Sequence, residues 1–221
     1  MAASLDLVDN SWTAVEKRLE ARGILPVRER PPVPPPATSA AAPAVPGVAL
    51  DDGRTVSERE RSLYLDLLIN ILTNTIYRDP GIQPKATDRY RPELRARGGD
   101  WPAVAHTMVG VQRLQNVRDL VQAALDENIP GDFIETGVWR GGCCILMRGV
   151  LAANGVSDRK VYVADSFAGL PPPNPELYPD DKGLDLHLFE QLAIPLEEVQ
   201  DNFARYGLLD DQVVFVKGLF K

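Results

Sequence analysis

The sequence predicts an α/β protein with a Rossmann-like, doubly wound parallel sheet, of which only the first half, about three strands, is present behind N-terminal helices. Three observations predict it. The stretch G-D-F-I-E-T-G-V-W-R-G-G, 131–142, reads as a short buried strand, an acidic turn and the glycine-lined start of a helix. The runs V-Y-V-A-D, 161–165, and V-V-F-V, 213–216, are short and β-branched, as buried parallel strands are. Helical patterns fill the gaps between these runs, and strand and helix in alternation make a parallel sheet.

Taken in order, the chain opens with a unit over 1–25, where residues 10–22 are predicted to form a short helix. Trp12, Val15 and Leu19 share a face, Thr13 and Glu16 have capping-box spacing, and Gly23 can end it. Residues 26–56 are rich in proline and alanine, with P-P-V-P-P-P at 31–36, and cannot supply a helix or a central strand. They are predicted to be an extended linker; a spacer to a docking helix, or a ligand for proline-recognising modules, is the functional alternative to a plain tail.

A helical part, 57–130, follows. Ser57 and Glu60 repeat the capping-box spacing, and Leu63, Tyr64, Leu67, Leu68, Ile71, Leu72, Thr75 and Ile76 form a wide stripe predicting a helix over 58–76, ended by Pro80-Gly81. Residues 80–102 are polar and proline-punctuated and are predicted to be loop or short turns. A second helix is predicted over 106–127 from Val111, Leu114, Val117, Val121, Ala124 and Leu125. The part 131–221 carries the sheet. Its glycine turn leads into a helix from about Arg140 to Ala153, capped by Asn154-Gly155. After the second strand a proline-rich excursion runs from Gly169 to Pro195, and a helix with Leu196, Val199, Phe203 and Tyr206 at helical spacing precedes the third strand.

Composition narrows the function. With 221 residues, 44% hydrophobic and 25% charged, the chain is that of a soluble globular protein. A net charge of -7 argues against non-specific nucleic-acid binding, which needs Lys and Arg to neutralise phosphates. No apolar run reaches bilayer length, and M-A-A-S-L-D-L-V-D lacks the basic start of a secretory signal, so a cytoplasmic protein with no membrane partner is expected. The adjacent Cys143 and Cys144 have neither disulfide nor metal-ligand spacing and are expected to be buried or half-buried fillers.

The glycine turn is the strongest chemical signal. At the carboxyl end of a strand, Gly137, Gly141 and Gly142 would let main chain approach a ligand in the crevice where open α/β sheets bind them. Gly137-x-x-x-Gly141 lacks the middle glycine of the dinucleotide fingerprint, and Glu135 would repel a pyrophosphate while favouring an ammonium group. That suits S-adenosylmethionine better than NAD; a tight turn in some other α/β protein is the alternative. Asp165, at the end of the second strand, is placed to accept both hydroxyl protons of a ribose, or is an acidic turn former. Ser166 and Phe167 would then touch the adenosine, and Trp139 either packs on the cofactor or covers the helix start. His106, at a predicted helix start, is expected to cap or to sit at the surface. His187, in D-K-G-L-D-L-H-L-F-E, lies on the excursion over the strand ends; it is either a surface residue or the base for a hydroxyl acceptor.

Five separated segments carry a family resemblance: L-T-N-T-I-Y, 72–77; D-W-P-A-V-A-H-T-M, 100–108; the glycine turn, 131–142; A-D-S-F-A-G-L-P, 164–171; and N-F-A-R-Y-G-L-L-D-D, 202–211. From about Ser57 to Lys221 the chain resembles the macrocin O-methyltransferases of macrolide biosynthesis. The resemblance implies a sheet of the class I methyltransferase type and an S-adenosylmethionine- and Mg2+-dependent O-methyltransferase, acting on a sugar hydroxyl of a glycosylated natural product. By position it implies Thr107 and Met108 at the methionine end, Glu135, Thr136, Gly137, Val138 and Trp139 in the cofactor turn, Asp165 and Ser166 at the adenosine, and His187 as general base.

The departures from the family pattern also set expectations. The family's M-D-G-D-S-Y-like and V-D-D-Y-like strand ends, whose aspartates bind the metal, have no counterpart in this sequence, so no metal ligand is assigned. Leu219 stands where the family usually has tryptophan. The expectation is a shortened family member whose sheet exposes an edge and an apolar flank, and which associates into homo-oligomers and does not methylate alone. A cofactor-binding remnant that docks through helix 58–76 is the alternative, and a nicotinamide dehydrogenase a distant third.

Overall fold

The structure is a computed structural model and describes residues 56–83 and 89–219. The helix predicted at 10–22 and the linker up to residue 55 lie outside the described residues. Helix α1, Glu58–Leu72, opens with the predicted capping box: the Ser57 amide donates to the Glu60 carboxylate at 2.8 Å, and the Ser57 hydroxyl accepts from the Glu60 amide. Leu65, Leu68, Ile69 and Leu72 face inward.

This helix stops short of the predicted end at 76, for a reason in its next two residues. The Thr73 hydroxyl donates back to the Ile69 carbonyl at 2.7 Å, and the Thr73 carbonyl accepts from buried Arg95 at 2.6 Å. Asn74 takes a left-handed φ of 49° and donates to Asp79 at 2.8 Å. Side-chain partners thus draw these polar groups away from the helical ladder.

Residues 80–102 were expected to be loop or short turns, yet they contain helix α2, Pro92–Arg97, with proline in its first turn and left-handed Gly98 at its end. Its inward residue is Arg95, only 1% exposed, paired with Asp79 at 2.8 Å and Asp100 at 2.9 Å. Helix α3, Val111–Asp126, begins later than the predicted residue 106. The backbone before it is engaged elsewhere: the His106 amide donates to the Leu72 carbonyl at 2.9 Å, and the His106 carbonyl accepts from the Gly142 amide at 3.0 Å.

Strand β1, Phe133–Thr136, leads through the glycine turn to helix α4, Gly142–Ala153, which starts two residues after the predicted Arg140. Strand β2, Val161–Asp165, helix α5, Leu196–Arg205, and strand β3, Val213–Lys217, complete the described elements. Between β2 and α5 the excursion winds through short 3-10 turns at Pro179–Asp181, Leu186–Leu188 and Glu190–Leu192. All three strands are parallel, in the order β1-β2-β3.

The register sorts the side chains by face. Phe133, Val161 and Val213 form one row and Glu135, Val163 and Phe215 the next, both under the helices, with Val161 and Val163 fully buried. Ile134, Tyr162 and Val214 line the other face, where Ile134 is 61% exposed. The parallel strands and crossover helices are as predicted. Among the described residues, however, helices cover one face of the sheet, and α1 and α3 stack on α4.

Helix α4 is therefore sandwiched between the sheet and two helices, and residues 142–151 are all buried. A helix apolar on nearly all sides suits that place, and its one charge, Arg148, is paired with Asp210. Gly149 allows α1 to come close, since a Cβ there would lie 2.5 Å from Leu68 Cδ2. Cys143 and Cys144 are buried in this helix as expected. No described helix is long and apolar enough to cross a membrane.

Candidate cofactor site

The site lies at the carboxyl ends of β1 and β2. Gly137 has a φ of 82°, and a Cβ built on it would meet nothing within 4 Å, so this stretch of main chain faces open space. Gly141 and Gly142, also expected to face a ligand, face protein instead. A Cβ at Gly141 would lie 2.9 Å from Val199 of α5, and one at Gly142 would lie 2.5 Å from the His106 carbonyl oxygen. The three glycines thus divide their work: one leaves room for a ligand and two allow neighbouring segments to close on the turn.

Asp165 ends β2 beside this opening, but its carboxylate is already engaged. Oδ2 accepts from the Val138 amide at 2.7 Å; Oδ1 accepts from the Phe167 amide at 2.9 Å and the Ser166 hydroxyl at 3.3 Å. A carboxylate has roughly four lone-pair positions, so one stays available to a ribose hydroxyl while the rest fix the group. Asp165 therefore locks the turn after β1 to the end of β2. The Ser166 hydroxyl shares its single proton between Asp165 and the nearer Gly169 carbonyl, at 2.7 Å.

Glu135 and Thr136 are the last residues of β1. Alternation turns Glu135 toward α4, where the Cys144 thiol donates to its carboxylate at 3.1 Å. Burial pushes the Glu135 carboxyl up, against the thiol hydrogen bonds that lower it. Burial and the neighbouring Glu135 also push both thiols up, so they stay protonated and can donate. A poorly solvated carboxylate is well placed to gain from a nearby cation.

Thr107 and Met108 arrive at the start of α4 because the segment before them is gripped from several directions. Asp79 Oδ2 accepts from the Val104 amide at 2.6 Å and the Ala105 amide at 3.2 Å. Arg140 donates to the Pro102 carbonyl at 3.1 Å and the Ala105 carbonyl at 2.9 Å. Thr107 is buried against Cys143, and its hydroxyl accepts from the Val109 amide at 3.3 Å. His106, expected to cap a helix or sit at the surface, is half-buried against another element: its Nδ1 is 2.8 Å from the Tyr206 hydroxyl, and the two rings meet edge to face.

Arg140, Asp79 and Arg95 were missed by reading the sequence. Each is almost fully buried. The one available signal is that Arg140 interrupts the otherwise uncharged run G-V-W-R-G-G-C-C-I-L-M, where a charge must find partners. Its neighbour Trp139 holds a left-handed φ of 50°, stacks on the Arg140 guanidinium at 4.2 Å, and donates its indole N–H to the Gln191 carbonyl at 2.8 Å. Trp139 thus fastens the excursion to the turn, and an edge contact of Trp101 with Phe189 at 5.3 Å supports the same loop. His187 lies just before these anchored residues in the chain, with a buried Nδ1 that has no hydrogen-bond partner among the described residues.

The described residues contain no group of three His, Cys, Asp or Glu side chains that could hold a metal ion. Asp180 is exposed and Asp181 and Asp185 are half-buried, on the short turns of the excursion. Among the described residues, this arrangement does not fit a magnesium centre.

Comparison with known proteins places the chain in a family. The family model "Macrocin-O-methyltransferase (TylF)" matches residues 61–221. Demethyldecarbamoylnovobiocin O-methyltransferase of Streptomyces niveus is 51% identical over 166 residues, covering 73% of this chain and 63% of the relative. A 4'-O-methyltransferase of Streptomyces olivaceus, named for 8-demethyl-8-(2,3-dimethoxy-alpha-L-rhamnosyl)-tetracenomycin-C, is 51% identical, covering 75% and 64%. Mycinamicin III 3''-O-methyltransferase of Micromonospora griseorubida is 48% identical, covering 72% and 65%. The solved structure of the O-methyltransferase NovP superposes with a TM-score of 0.67 at 51% identity, over 72% of this chain and 64% of that one. The chain thus spans 63–65% of the length of these curated relatives. The match over residues 61–221, with the parallel sheet and the turn at the end of β1, shows that the chain belongs to the macrocin-O-methyltransferase (TylF) family.

Proposed function

We propose that this chain binds S-adenosylmethionine at the glycine turn and serves O-methylation of a sugar hydroxyl on a glycosylated natural product. The observation that carries the reading is the open main chain at Gly137, set between the Asp165 carboxylate and the segment holding Thr107 and Met108. Asp165 offers its remaining lone pair to the ribose, with Ser166 and Phe167 beside it. Thr136 and Val138 flank the opening, and Trp139 holds its far side. Thr107 and Met108 border the amino-acid end, and Glu135 favours the ammonium group there. Bound in this way, S-adenosylmethionine supplies an electrophilic methyl group on a sulfonium.

The acceptor class follows from the relatives, two of which are named for methylating numbered sugar positions. An attacking hydroxyl must lose its proton, and His187 is the candidate base because the excursion that carries it is fastened to the turn through Trp139. A cytoplasmic home suits the acidic amino terminus, and a homo-oligomer suits the exposed Leu63, Leu67 and Ile71 on α1.

Methyl transfer to a panel of glycosylated macrolides and aminocoumarins, with magnesium supplied, tests the reading in a family member of full length bearing these residues. Asp165→Ala should weaken S-adenosylmethionine binding by about 1.5 to 3 kcal/mol, the range for hydrogen bonds to a charged group. His187→Ala should lower turnover by roughly two to four powers of ten with cofactor affinity nearly intact. Unchanged affinity would remove Asp165 from the site, and near-normal turnover would make His187 a bystander.

A further inference from the structure

We infer that Arg140 and Asp79 form a positioning pair that sets the segment from Pro102 to Thr107 where it can receive the amino-acid end of the cofactor, an inference that rests on the cofactor reading above. The two charges act on opposite edges of one peptide segment. Asp79 takes the amides of Val104 and Ala105, and Arg140 takes the carbonyls of Pro102 and Ala105. Both side chains are buried, Asp79 at 8% exposed and Arg140 at 3%. Opposite charges gripping N–H groups on one side and C=O groups on the other resist sliding in either direction.

Each grip is fixed from behind. Asp79 is held by Arg95 at 2.8 Å and by the Asn74 amide at 2.8 Å. Arg140 stacks on the Trp139 ring and lies 3.8 Å from Glu198 of α5, while its own carbonyl accepts from Asn202 at 3.1 Å. Because Arg140 belongs to the turn that begins at Gly137, the turn and the segment move as one piece.

The direction of the ligand follows from the order of the strands. Asp165 ends β2, Gly137 follows β1 beside it, and beyond them the Gly142 amide at the start of α4 holds the His106 carbonyl. A ligand with its diol at Asp165 that crosses the open face of Gly137 ends against residues 106–108. The pair should therefore govern the amino-acid end of the ligand and leave the nucleoside end alone.

Calorimetry on the 221-residue chain with two probes separates those ends. S-adenosylhomocysteine has both; 5′-methylthioadenosine keeps the nucleoside and the sulfur but lacks the amino acid. Arg140→Lys keeps the charge but loses the planar guanidinium that stacks on Trp139 and aims its Nη1 at both carbonyls, and Asp79→Asn keeps the shape but loses the charge. Each variant should weaken S-adenosylhomocysteine about tenfold, the loss of one charge-assisted hydrogen bond, and leave methylthioadenosine within about twofold. One variant that folds, judged by its thermal melt, suffices for this comparison. Equal losses for the two probes, or no loss for either, would overturn the inference. So would failure of both variants to fold, which would make the pair a structural strut. If the unaltered chain binds neither probe, the cofactor reading itself fails and takes this inference with it; if it binds both and the variants match it, positioning alone fails.

Discussion

Near neutral pH the imidazole of His106 is uncharged, because burial first, and then the nearby Arg140 and Arg205, push its pKa from the ordinary 6.5 down to about 4. Protonation therefore favours the unfolded chain. The stability from neutral His106 is complete above 6.5 and is lost as pH falls from 6.5 toward about 4, an effect on the order of 3 kcal/mol. Chemical unfolding measured at steps across that window should show the decline, and His106→Asn should flatten it. An equally steep decline in the variant would contradict the assignment. The position of His106 was not legible, because its partners, Leu72, Gly142 and Tyr206, come from three separate stretches of chain. Asp165 was legible in place, but its hold on the turn after β1 was not. Spacing from the glycine turn put it at the end of β2, whereas its bond to the Val138 amide depends on the pairing of β1 with β2.

At the scale of elements, periodicity found what buries an apolar face. The stripes that predicted α1, α3 and α5, and the β-branched runs of β2 and β3, all correspond to elements. Helix α2 escaped because it buries no apolar stripe; its one buried residue is an arginine whose partners lie in the flanking turns. The same ionic centre ended α1 early, and the backbone bonds of His106 to Leu72 and Gly142 delayed α3, which no propensity argument foresees. Packing between elements gives its own test. A Cβ at Gly149 would press on Leu68 of α1 at 2.5 Å, so Gly149→Val should destabilise the fold by about 1 to 3 kcal/mol through overpacking. A variant as stable as the parent in urea would mean that the Leu68 side chain can move aside.

Over the whole molecule, the sheet presents Ile134, Tyr162, Val214 and Val216 on the face that the described helices leave open, with Ile134 61% and Val216 45% exposed. An apolar row of that kind is a ready association surface. Light scattering should find the 221-residue chain above its 24.3 kDa monomer mass, and Ile134→Lys should lower the mass found; a wild-type monomer would contradict this. The claim on which the account rests is narrower: the turn after β1 is built for S-adenosylmethionine and not for a dinucleotide. Titrating the purified chain with S-adenosylmethionine and with NADH, by calorimetry under the same conditions, tests it most directly. Saturable heat with S-adenosylmethionine and none with NADH is the predicted result, and binding of NADH, or of neither, would contradict it.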